Sequence, residues 1–159
     1  MPPTPPPIRI LLVDDRPASL APLRDRLERC GHRVESVEGV LYAMWSVNAS
    51  HRVYDAVVCA AELADGDPVE LLTHLRQRMG VRTIALTRHA CDPRAVRHVA
   101  ACLAIDRILP HPGDHPINDD ACRAVCDAVA ELMSADQTLP PSPPRAVAGD
   151  PDLHPRHIA

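Results

Sequence analysis

Two adjacent carboxylates, Asp14 and Asp15, close the apolar run 8-IRILLVDDRPAS-19. Paired acids where a buried strand ends serve a third charged group, most simply a hard cation that takes oxygen ligands. A second apolar run, 53-VYDAVVCAAEL-63, ends on alanine, with Ala60 where another acid would complete such a site. Glu62 is the nearest acid, two residues on, and reads as a solvated loop residue. Thr87 ends the run 81-VRTIALT-87, either as a hydroxyl ligand or simply as a β-branched strand residue. His111 follows the short run 107-RIL-109. His111, His115, Cys122 and Cys126 have zinc-capable side chains, but the cysteines fall on an apolar helical stripe and the spacing is not that of a finger. Cys59 lies beside the alanine with no activating charge in view, which argues against a redox sensor. No nucleophile–base pair and no glycine-rich phosphate loop occurs, so the chain does not read as an enzyme.

Alternating elements must position these residues. Strands are expected at 8–13, 32–37, 53–60, 81–87 and 107–109. A helix opens at Pro17, with Leu20, Leu23, Leu27 and Cys30 inward until Gly31 stops it. A less regular one covers 40–48. Asp67-Pro68 and Asp92-Pro93 open two more, the second with Val96, Val99, Ala100 and Leu103 on one face. The last spans 119–134. Asp55, Asp65 and Asp67 read as turn and cap residues, and Asp15 as a cap for the helix at Pro17. Five strands alternating with five helices imply an α/β fold: a parallel sheet covered on both faces, in three layers. Such a sheet carries its site at the carboxyl ends of the strands, where the residues above are expected to gather.

Composition narrows the function classes. With 46% hydrophobic residues among 159, one domain with a full core is expected over 8–135. It is flanked by a proline-rich leader, 1–7, and a proline-rich tail, 136–159, expected to be disordered. One Trp, two Tyr and no Phe leave no platforms for stacking bases, and a net charge of −4 disfavours polyanions, so nucleic acid is not an expected partner. No run is long enough to span a membrane and no signal peptide opens the chain, so a cytoplasmic protein is expected. The six cysteines then read as reduced, small hydrophobes.

ILLVDDRP at 10–17, YDAVVCAAELADGDPVELL at 54–72, TIALTRHA at 83–90 and DRILPHP at 106–112 together resemble the receiver domain of bacterial two-component response regulators. The resemblance covers 8–135 and implies a flavodoxin-like fold whose strand-three aspartate takes a phosphoryl group beside Mg²⁺. It places Asp14 and Asp15 as metal-binding acids and Thr87 as the hydroxyl that contacts the phosphoryl group. Ala60 falls on the acceptor, His111 on the family's lysine, and Ile108 on its aromatic switch position. A methyl group accepts no phosphoryl group and supplies no metal oxygen. An imidazole is a poor substitute for an ammonium opposite phosphate. The pocket of Asp14, Asp15, Ala60, Glu62, Thr87 and His111 thus reads as a degenerate phosphorylation site with weak or lost Mg²⁺ and no other cofactor. The expected function is phosphorylation-independent signalling through protein–protein contact in a two-component-type pathway. The alternative is a regulator still switched by an unusual acceptor or by a small ligand in the old pocket. The resemblance further implies an interaction face on helix four, strand five and helix five. That face carries Arg94, Arg97, His98, Arg107, Ile108 and Arg123, and could also form a homodimer, with Asp106, Asp119 or Asp127 answering the arginines across a two-fold axis.

Overall fold

The computed structural model describes residues 6–49, 53–102 and 105–136. Most of the leader and the tail from Gln137 lie outside the described residues, as does Leu103. The strands are β1 (Arg9–Val13), β2 (Arg33–Val37), β3 (Ala56–Ala60), β4 (Arg82–Thr87) and β5 (Arg107–Pro110). The helices are α1 (Ala21–Arg29), α2 (Gly39–Ala49), α3 (Val69–Met79), α4 (Pro93–Cys102) and α5 (Asp119–Asp136). All strand pairs are parallel, in the order β2-β1-β3-β4-β5. From β1 the chain turns first to β2 on one side and then to β3 on the other, which opens a crevice at their carboxyl ends.

Side-chain alternation divides the core. Ile10 and Leu12 of β1, with Val58 and Ile84, meet Leu23 and Leu27 of α1 and Val125 and Val129 of α5. Leu11 and Val13, with Val57 and Cys59, meet Ala43 and Val47 of α2 and Leu71, Leu72 and Leu75 of α3. The central strands β1 and β3 are therefore apolar at every inward position on both faces, as a doubly covered parallel sheet requires. No helix of the described residues is long and apolar enough to cross a membrane.

The helix starts follow the expected chemistry with two differences. Asp92 accepts the Arg94 N–H at 2.9 Å and caps α4, while Asp67, one residue before the Pro68 N-cap of α3, accepts the Val69 N–H at 2.9 Å. Pro17, however, opens a 3-10 turn (Pro17–Leu20) that receives no side-chain cap, so Asp15 does not have the capping role expected of it. Cys30 and Ala100 are exposed rather than inward, and Cys91 is exposed too, so only some cysteines behave as core residues. At the opposite edge of the sheet Asp106 accepts from Arg76 of α3 and from the Thr83 N–H at 2.9 Å, clipping α3, β4 and β5 together.

α2 has a cap supplied from far along the chain. Asp65 accepts the N–H groups of Val40 at 3.0 Å and Leu41 at 3.1 Å. Gly39 turns into this helix at φ +86°, and a Cβ there would collide with the Asp65 carboxylate. The backbone donors hold the Asp65 carboxyl below the usual carboxylate range. Asp65→Ala is expected to lower stability by about 1 kcal/mol, the value of a helix N-terminal cap, read from urea midpoints. Because the folded-state pKa is depressed, this contribution is complete above the unfolded value of about 4 and is lost as the pH falls through the lower folded one. The gap between wild type and Asp65→Ala should therefore close in acid.

Candidate functional site

The carboxyl ends of β1, β3, β4 and β5 meet as the sheet order demands. Asp14, next after β1, is buried at 3% exposure. One of its oxygens accepts the Arg16 N–H at 2.8 Å, and the other lies 2.7 Å from Nε2 of His111, whose side chain is also buried. The backbone of the β5–α5 loop sets the tautomer of this histidine. Gly113, at φ +71°, donates its N–H to His111 Nδ1 at 2.9 Å. That nitrogen therefore carries no proton, and the ring proton stands on Nε2, pointing at Asp14. The His111 N–H itself donates to the Thr87 carbonyl at 2.9 Å. Histidine at this position thus binds the acid that the resemblance would assign to a metal.

The other polar groups are also answered from within the chain. Asp15 accepts the Ala64 N–H at 3.1 Å. Glu62 is not a solvated loop residue: it folds back over the strand ends and accepts the Thr87 hydroxyl at 2.6 Å and the Arg88 N–H at 3.3 Å. The Thr87 oxygen meanwhile accepts the His89 N–H at 3.1 Å, so both its donor and acceptor functions are engaged. Ala60, between these pairs, is 1% exposed and contributes only a methyl group. The sequence signal for Glu62 was its place two residues past the alanine; its direction came only with the fold.

The residues present do not fit a Mg²⁺ cage. Both Asp14 oxygens and one of Asp15 already accept hydrogen bonds, and Ala60 supplies no oxygen. Among the described residues no group of three or more His, Cys, Asp and Glu side chains is arranged to hold a metal. The zinc-capable set is dispersed: His111 is turned to Asp14, His115 is exposed, and Cys122 is buried on the core side of α5. Burial is the main cause that pushes the Cys126 thiol up to about 11. Cys59 is fully buried and donates to the Ala60 carbonyl at 3.3 Å. Burial, reinforced by Asp14, Asp65 and Asp15, raises its thiol far above the ordinary value, which disfavours the thiolate that redox chemistry uses.

The expected interaction face is a surface. Arg94, Arg97 and His98 of α4, Arg107 of β5 and Arg123 of α5 are exposed, and Ile108 is half-buried. α4 buries no side chain completely among its described residues; Val96 and Val99 are half-covered.

The sequence matches no protein-family model and no curated protein. Solved structures match through the fold. The signal receiver domain of an HD domain-containing protein from Pseudomonas fluorescens is 23% identical, with a TM-score of 0.67, over 84% of this chain and all of that one. A CheY-like response regulator receiver domain protein from Methanospirillum hungatei is 22% identical, with a TM-score of 0.64, over 83% and 98% of the two chains. The response regulator TrrA from Thermotoga maritima, solved in complex with Mg²⁺ and BeF, is 20% identical, with a TM-score of 0.55, over 76% and 98%. This chain has the five-stranded, flavodoxin-like fold of response regulator receiver domains.

Proposed function

We propose that the chain is a receiver-type signalling protein of a two-component pathway that no longer takes phosphate and acts by protein–protein contact. One observation carries this reading. Glu62, a carboxylate of the chain itself, accepts the Thr87 hydroxyl and the Arg88 N–H, two donors that could otherwise bind an external anion. With Ala60 beside them, the site has an internal anion and no acceptor. The alternative reading, an unusual acceptor, has its candidate in Glu62. Phosphoryl transfer there would have to use an oxygen that already accepts one of these hydrogen bonds.

Incubation with acetyl phosphate and Mg²⁺ is expected to leave the mass of the protein unchanged. An adduct of one phosphoryl group, base-labile and mapped to an aspartate or to Glu62, would refute phosphorylation independence and distinguish the two readings.

Mg²⁺ binding is expected to be weak, because three of the four oxygens of the acid pair already accept hydrogen bonds and Ala60 adds none. Low millimolar Mg²⁺ should leave the melting temperature of the wild type in place. Ala60→Asp supplies the missing oxygen ligand and should produce a Mg²⁺-dependent rise. A clear rise already in the wild type would show that the pair still holds the metal.

The partner surface in this reading is the face of α4, β5 and α5. Of the acids expected to answer its arginines across a two-fold axis, Asp106 is engaged by Arg76 and Asp119 lies 3.9 Å from Arg26, whereas Asp127 is exposed with no ion pair among the described residues. Arg107 is paired with Glu131 at 3.5 Å, while Arg94, Arg97 and Arg123 have no ion pair among the described residues. Three unpaired arginines against one open acid favour an acidic partner protein over a second copy here. Arg94→Glu with Arg97→Glu should abolish capture of that partner in pull-downs from the native cell and leave the melting temperature unchanged. Equal capture by the double variant would place the partner elsewhere.

A further inference from the structure

α2 differs from the other helices in having no charged residue in GVLYAMWSVNA. Its inner face packs Val40, Ala43 and Val47 against the sheet, alongside α3. Its outer face should then be polar, as on an ordinary surface helix. Instead Leu41 is 70% exposed, Tyr42 63% and Trp45 69%. Asn48 and Ala49, also exposed, complete a face with no charge at all. A helix that is apolar on both sides is normally covered on both. The chain's one tryptophan and one of its two tyrosines stand side by side here in water.

From this geometry we infer that the outer face of α2 binds a second copy of the same chain. The area is sufficient for a small interface. Counting the exposed parts of three large side chains gives on the order of 500 Å² per protomer. That is close to the roughly 600–800 Å² each partner contributes to a small specific complex. The absence of charge selects the occupant. A two-fold axis brings like surface to like, so a charged face would meet its own sign, whereas this face meets only apolar groups, the Tyr42 hydroxyl and the Asn48 amide, all uncharged. A lipid surface is the poorer match, since interfacial helices flank their apolar face with Lys and Arg and α2 has neither. The shape is also self-complementary. Leu41, Trp45 and Ala49 form a ridge at i, i+4 and i+8, and such ridges interlock with a second copy of themselves. The ridge is held still from behind, because Asp65 ties the first turn of α2 to the β3–α3 loop. A rigid apolar anchor loses little freedom on binding.

Trp45 also supplies the readout, being the chain's single tryptophan. The full chain is to be followed by sedimentation velocity and tryptophan emission over one dilution series, from high to low micromolar. The expected result is a dimer that dissociates on dilution, with Trp45 emission moving to the red in step with the fall in mass. Leu41→Glu keeps the fluorophore and should weaken association by about tenfold or more, as loss of a central apolar contact does. Trp45→Glu should do the same by sedimentation alone. Both positions are exposed, so unchanged circular dichroism melts would confirm that the variants fold. A wild type that stays monomeric throughout overturns the proposal and leaves the face to a different protein. A dimer that survives Leu41→Glu, or in which Trp45 emits as a fully hydrated side chain, overturns it too. None of these outcomes bears on phosphorylation independence, which is tested separately above.

Discussion

A carboxylate buried at the end of the central strand must be paired, and the whole carboxyl edge of this sheet is arranged around that requirement. Asp14 is 3% exposed, where an unpaired charge would cost several kcal/mol. The Arg16 N–H and His111 Nε2 answer its two oxygens. To reach it, His111 must cross from the end of β5 to the end of β1. The crossing is set by His111 N–H on the Thr87 carbonyl and by Gly113 N–H on the ring. β1, β4 and β5 are thus tied at one point by a single acid and its imidazole. Removing either partner would leave the other buried and unsatisfied, which is more damaging than replacing both.

The β3–α3 loop completes the edge. Within four residues it sends Glu62 to Thr87 and Arg88, the Ala64 N–H to Asp15, and the Asp65 carboxylate to the start of α2. One loop therefore bridges β4, β1 and α2. Each of these bonds alone is modest, about 1 kcal/mol net. Together they leave the loop no polar group of the pocket to release on its own. The place where the fold would accept a phosphoryl group and a cation is held by the chain's own acids and amides, and the surfaces that face outward are the arginines of α4 and the apolar ridge of α2. In the function proposed above, such a scaffold acts through what its helices display.

Some features of this protein were decided within short stretches of sequence. Unbroken apolar runs in ILLV and AVVCA specified strands covered on both faces, because successive side chains point to opposite sides of the sheet and both sides are apolar. Asp-Pro at 67–68 and 92–93 placed two helix starts, because a carboxylate can reach an amide two residues on. Ala60 alone ruled out an acyl phosphate at its position, whatever surrounds it. Even α2 was legible in part, as a run of eleven residues without charge.

The tertiary structure decided the rest. Asp15 could have capped the turn at Pro17 on local grounds, yet it binds the Ala64 N–H, 49 residues away. Glu62 had the composition of a solvated loop residue until β4 placed a hydroxyl and an N–H within its reach. His111 and Asp14 are 97 residues apart, and nothing near either one specifies the other. Which side of α2 faces water was equally undetermined, since a helix with no charge has no polar face to choose. Periodicity and capping are settled by neighbours within one or two turns, and the sequence determines them by itself. Partnerships across the edge of a sheet depend on which strand ends the chain brings side by side, and that order exists only once the sheet has formed.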